Sequence, residues 1–179
     1  MSRLITRQQC ELEPQTLEAL ADVRHKGQLA DVYLQFANSE PALRAYLHME
    51  QCIRDGSLTD REIEAVKLWV SQRTGCTYCL SVHTQKARLA GIPEEQQLAL
   101  RCGHSVDDER LDALIELTSM LFESRGTLDE SSLATVRGAG LSDENLVDLT
   151  MLISTIFFTN ITNHVNGTQS TLPEAPSLE

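Results

Sequence analysis

Apolar positions recur at helical spacing along most of the chain, and no segment alternates convincingly as a strand does. The clearest case is Ile63, Val66, Trp69 and Val70, preceded by Thr59 and Glu62 at capping-box spacing and broken at Thr74-Gly75. A new helix is predicted from about Cys76 to Gly91, with Pro93 behind it. Upstream, Pro14 opens a helix that should run to about His25 and stop at Lys26-Gly27. Ser39-Glu40-Pro41 then introduces Leu43, Tyr46, Leu47 and Ile53, with Gly56 after them. Downstream, Glu94 to about Cys102 reads as a short helix. Ser105 and Asp108 cap a longer one carrying Leu111, Leu114, Ile115, Thr118 and Phe122, ending before Gly126. Asp129 to Val136 is another short piece, and Ser142 caps a last long helix to about His164, with Gly167 beyond. The fold class is therefore all-α, a compact multi-helix bundle in one domain spanning 1–168. Residues 169–179, which contain Pro173 and Pro176, are expected to form a disordered tail.

Composition sharpens this reading. Aromatics make up only 4% of the chain, so Leu and Ala must fill the core, as suits helix-on-helix packing. A length of 179 residues is enough for one substantial core. A net charge of -11 disfavours nucleic acid and anionic membrane surfaces as partners. The longest apolar stretch, 146–158, is short and interrupted by Asp148, Thr150, Ser154 and Thr155, so it is not expected to span a bilayer. No apolar signal-like region follows Met1-Ser2-Arg3, and of Cys10, Cys52, Cys76, Cys79 and Cys102 only one pair is close in sequence. A reducing, cytoplasmic setting fits this usage better than a disulfide scaffold.

That one pair carries the chemistry. Cys76-Thr77-Tyr78-Cys79, with His83 four residues on, places two thiols and an imidazole on one helix ridge. A thiol attacks only as a thiolate. The predicted helix N-terminus at Cys76 favours that form, His83 can take the proton, and an acidic side chain can orient the imidazole. Glu64 is the candidate for the last role. Glu62 lies close by but already serves the capping box of Thr59. Spacing leaves alternatives open. The C-x-x-C can be half of a zinc site, with a fourth ligand from His48, Cys52, Cys102 or His104. It can also be a thiol pair that senses redox state without turnover. Cys10, Cys52 and Cys102 read most simply as isolated thiols.

The pattern Glu64-x11-Cys76-Thr77-Tyr78-Cys79-x3-His83 resembles the signature of the AhpD-like alkylhydroperoxidases, in the carboxymuconolactone decarboxylase superfamily. The resemblance is best from about 41 to 122. It implies an AhpD-like helical bundle with the C-x-x-C at a helix N-terminus, assembled as a homotrimer or homohexamer. It also implies a thiol-dependent alkyl hydroperoxide reductase active in antioxidant defence, without cofactor or metal. Cys79 would react with peroxide, Cys76 would close the disulfide, His83 would accept the proton and Glu64 would relay it. A dithiol or lipoyl-type reductant, one precedent being partnered with a peroxiredoxin, would restore the pair. Some members carry a second His just before the second cysteine. Here that residue is Tyr78, which titrates too high to shuttle protons as an imidazole does. Protein disulfide exchange without peroxide turnover is the alternative activity. Polar Thr77 and Tyr78 should leave the pair partly open to a reductant.

Overall fold

The structure, a computed structural model, describes residues 2–24, 29–104 and 106–178. Among them are nine α-helices and no strand: α1 (Pro14–Ala19), α2 (Asp31–Phe36), α3 (Glu40–Asp55), α4 (Asp60–Thr74), α5 (Thr77–Leu89), α6 (Glu94–Cys102), α7 (Glu109–Ser124), α8 (Glu130–Gly138) and α9 (Asp143–Asn166). The all-helical class expected from the pattern is what folds.

Helix α4 is the axis of the bundle and packs against α5, α6, α7 and α9. Every residue from Glu62 to Ser71 is buried, so charged side chains are taken inside along with the apolar ones. A helix enclosed on all sides sits at the centre of a core rather than on its surface. Trp69, fully buried, meets Phe122 edge-on at 5.8 Å, and Phe122 meets Phe157 at 5.9 Å. The capping box forms as read: Thr59 accepts from the Glu62 N–H, and the Glu62 carboxylate accepts from the Thr59 N–H at 2.8 Å. Asp108 and Ser142 likewise cap α7 and α9, while Ser105 lies outside the described residues.

A second, smaller core joins α1 to α3, around Leu20, Phe36, Leu43 and Leu47. Here the pattern misled. The first helix ends at Ala19, well short of His25, because the chain turns to bury Leu20 and passes into a 3-10 turn at Ala21–Val23. The expected stop at 25–27 lies outside the described residues. Helix α2, which the periodicity did not announce, brings Phe36 against Tyr46 and Phe158 at centroid distances of 5.8 and 5.9 Å, setting the smaller core against α9.

Helix α9 is longer than the apolar stretch 146–158 within it. At 24 residues, with a mean hydropathy of 1.2 in its most apolar window, it reaches by length and composition what a bilayer-crossing helix needs. In the fold its inward face is committed to protein, including polar Asn160 and Asn163. Phe157, Phe158, Ile161 and Val165 remain on the outside. Residues 168–178 have no regular secondary structure. Among them, the Pro176 carbonyl accepts from Arg101 Nη1 at 2.6 Å.

Candidate active site

The junction of α4 and α5 builds the site. Gly75 ends α4 with φ 69°, in the left-handed region where a side chain is disfavoured. The chain reverses there, and Cys76 becomes the N-cap of α5, its sulfur accepting from the Cys79 N–H at 3.3 Å. Cys76 and Cys79 are joined as a disulfide, with Cα atoms 5.3 Å apart. The reversal also lays α5 against α4 and brings Glu64 to His83. The His83 Nδ1 to Glu64 Oε2 distance is 2.7 Å, and both residues are buried. Glu62, the competing carboxylate, is occupied elsewhere by Thr59 and by Arg110 at 2.6 Å. Spacing alone separated the two only weakly; packing separates them cleanly.

Burial pushes the Glu64 carboxyl up, but the charge and hydrogen bond of His83, with Lys86 and Lys67 behind, outweigh it and hold Glu64 below the usual value. Burial pushes His83 down, and Glu64 recovers only part of that loss. The pair therefore rests as a carboxylate beside a neutral imidazole. A carboxylate only accepts, so Nδ1 carries the proton and Nε2 is left as a base.

His83 and Cys79 line one cavity of about 300 Å³. Its walls hold all three tyrosines of the chain, Tyr33, Tyr46 and Tyr78, together with Phe36. Burial, aided by neighbouring negative charges, raises each tyrosine hydroxyl above its ordinary value, so all three stay protonated. Tyr78 thus stands as a neutral donor where a second imidazole would titrate.

Three features of the site were not read from the sequence. Asn163 on α9 donates from Nδ2 to the Cys79 sulfur at 3.4 Å, across 84 residues of chain. Lys67 is buried on α4 and paired with Glu50 of α3 at 2.7 Å, and both line the cavity. Third, the cysteines are enclosed rather than partly open: each is 3% exposed. Thr77 is exposed as its polarity suggests, but both cysteines are buried, Cys79 beneath Asn163 of α9. The only sequence signal for Asn163 was an asparagine interrupting an apolar helix.

The other candidate ligands lie apart. His48 Nε2 and Cys52 Sγ approach each other on α3 at 3.7 Å, while Cys102 and His104 line a separate cavity beside Trp69. Among the described residues no group of three or more His, Cys, Asp or Glu side chains is placed to hold a metal ion.

Residues 40–106 match the carboxymuconolactone decarboxylase family. An uncharacterised Bacillus subtilis protein, YdfG, is 29% identical over 118 residues, covering 64% of this chain and 79% of its own length. A peroxidase-related protein of Ralstonia eutropha JMP134, described as an alkylhydroperoxidase AhpD core, superposes with a TM-score of 0.83 at 19% identity, over 94% of this chain and 91% of that one. The debrominase Bmp8, solved as a cysteine-to-alanine variant in complex with 2,3,4-tribromopyrrole, superposes with a TM-score of 0.76 at 19% identity, over 94% and 92%. At these identities the two structures speak for the fold. With a matching family pattern at residues 40–106 and a matching architecture around it, the chain carries a carboxymuconolactone decarboxylase family segment in an AhpD-like fold.

Proposed function

We propose that this protein is a thiol-dependent hydroperoxide reductase that cycles a Cys76–Cys79 disulfide. The observation that carries the reading is the sharing of one cavity by Cys79 and a neutral, Glu64-bound His83. In the reduced protein, His83 takes the Cys79 proton and the Asn163 N–H supports the thiolate. The thiolate attacks the outer peroxide oxygen, and the O–O bond breaks. The alcohol leaves with the proton from His83, and Cys79 becomes a sulfenic acid. Cys76, three residues away at the head of α5, attacks that sulfur. Water leaves and the disulfide closes. A cellular dithiol then returns two electrons. The resemblance favours a lipoyl-type arm or a peroxiredoxin-linked carrier for that step. The same resemblance, with the exposed apolar face of α9, favours a homotrimer or homohexamer working in the cytoplasm.

Replacing Cys79 or Cys76 by Ser should abolish turnover of an organic hydroperoxide in the presence of a dithiol. Full activity in both variants would sink the mechanism. A second reading is favoured by the aromatic cavity walls. Bmp8, of the same fold, holds a brominated pyrrole. Replacement of an aryl bromide by hydrogen also consumes two thiols, giving bromide and the same disulfide. Bromide release from a bromopyrrole, without peroxide consumption, would select that chemistry. Reduction of a protein disulfide with neither would select thiol exchange.

A further inference from the structure

The two cysteines line different cavities. Cys79 lines the tyrosine-walled cavity with His83. Cys76 lines a second cleft, of about 240 Å³. Tyr78 and Asn163 contribute to both. The character of the cleft differs from that of the cavity. Arg3, Thr77, His164, Thr168 and Gln169 line it, and among the described residues no carboxylate side chain does. It sits at the N-terminus of the thirteen-residue α5, where backbone N–H groups favour negative charge. The opposing C-terminus of α9 is already satisfied: Arg3 donates its N–H to Asn166 O at 2.8 Å and Nη1 to the His164 and Val165 carbonyls at 3.3 Å. His164 Nε2 donates to the Thr74 carbonyl at 3.0 Å.

We propose that this cleft is the entrance for the reductant, that the attacked sulfur is Cys76, and that the site takes thiols bearing negative charge. The proposal rests on the redox cycling of the pair stated above. A thiolate attacks a disulfide along the extension of the S–S bond, so the entering and leaving sulfurs stand on opposite sides of the attacked one. Entry through the cleft makes a bond to Cys76 and breaks the Cys76–Cys79 bond. Cys79 leaves as a thiolate on the side where Asn163 donates to it and His83 is at hand. A better-stabilised leaving thiolate departs faster. A second thiol then attacks the reductant's own sulfur in the mixed disulfide. This frees Cys76 and releases the oxidised reductant, so two thiols are oxidised for each protein disulfide reduced. Oxidant and reductant thus reach the pair from different sides, and neither has to leave before the other enters.

The test uses the full chain with its disulfide formed. The protein is mixed with 3-mercaptopropionate or with cysteamine at about 0.15 M ionic strength, where local charges act over roughly 8 Å. Released thiol is trapped with iodoacetamide and the products are mapped by mass spectrometry. The expected product carries the reductant on Cys76 and the carbamidomethyl group on Cys79. Each rate, per thiolate, is divided by that of the same thiol with a small uncharged disulfide. On that scale the anionic thiol should lead by on the order of tenfold. Arg3→Glu should remove or reverse the preference. A reductant adduct on Cys79, or equal normalised rates for the two thiols, would overturn the proposal and leave the peroxidase reading intact. Attack at Cys76 in a protein that hydroperoxide fails to oxidise would establish the entrance and remove that reading instead.

Discussion

Glu64 and Lys67 lie one turn apart on α4, both buried, and each meets its opposite from another helix. Lys67 pairs with Glu50 of α3 at 2.7 Å, and Glu64 with His83 of α5 at the same distance. The partners make the two pairs unlike. The Lys67–Glu50 ion pair forms part of the cavity wall. The imidazole gives up its charge when buried, so the other pair holds a carboxylate and an available base. The same degree of enclosure thus yields a structural ion pair in one place and an acid–base group in the other. What decides is whether the cation can lose its proton at modest cost.

The two pairs should diverge most when His83 is changed. His83→Gln keeps a side chain able to hydrogen-bond Glu64 but removes the base, and should slow Cys79 oxidation by about 10²- to 10⁴-fold. Stopped-flow oxidation by a hydroperoxide reads this directly. The fixed pair should respond in stability instead. Glu50→Ala leaves Lys67 buried without its partner and should cost about 3–5 kcal/mol in urea unfolding. Adding Lys67→Met should recover most of that loss, whereas no second change at Glu64 should rescue His83→Gln. Glu64→Gln sits between these extremes. It removes the anion that raises the His83 basicity, so the acidic limb of the pH–rate profile should move to lower pH, with a rate loss of roughly tenfold as the base weakens.

Acid sharpens the contrast further. His83 binds its proton less readily when folded than when unfolded, so its contribution is complete above about pH 6.5 and is lost as pH falls below that value. Glu64, held low in the fold, adds a further loss as pH falls below its ordinary value and through its folded one. Unfolding free energy should therefore be flat through neutrality and decline from about pH 6.5 downward. In His83→Gln the decline should begin only in the carboxylate range. The smallest expected effect belongs to Asn163. Removing its N–H from the Cys79 sulfur, in Asn163→Ala, should slow oxidation at pH 7 by up to about tenfold, the worth of one ordinary hydrogen bond of about 0.5–1.5 kcal/mol.

What could be read from the chain was whatever short-range geometry dictates. The capping box at Thr59 and Glu62, the break at Gly75, the common ridge of Cys79 and His83, and the helical class all follow from contacts within a few residues. Those rules hold wherever the helix lies. The choice of Glu64 over Glu62 depended on how α5 folds back on α4, which the turn at Gly75 suggested but spacing did not prove. The rest needed the tertiary structure. Asn163 reaches Cys79 across 84 residues, Glu50 reaches Lys67 from another helix, and α2 brings Tyr33 and Phe36 to a cavity whose base is on α5. The early end of α1 and the enclosure of both cysteines belong to the same class. Periodicity states which face of a helix turns inward. It does not state what that face will meet, because the meeting is set by packing among segments far apart in the chain.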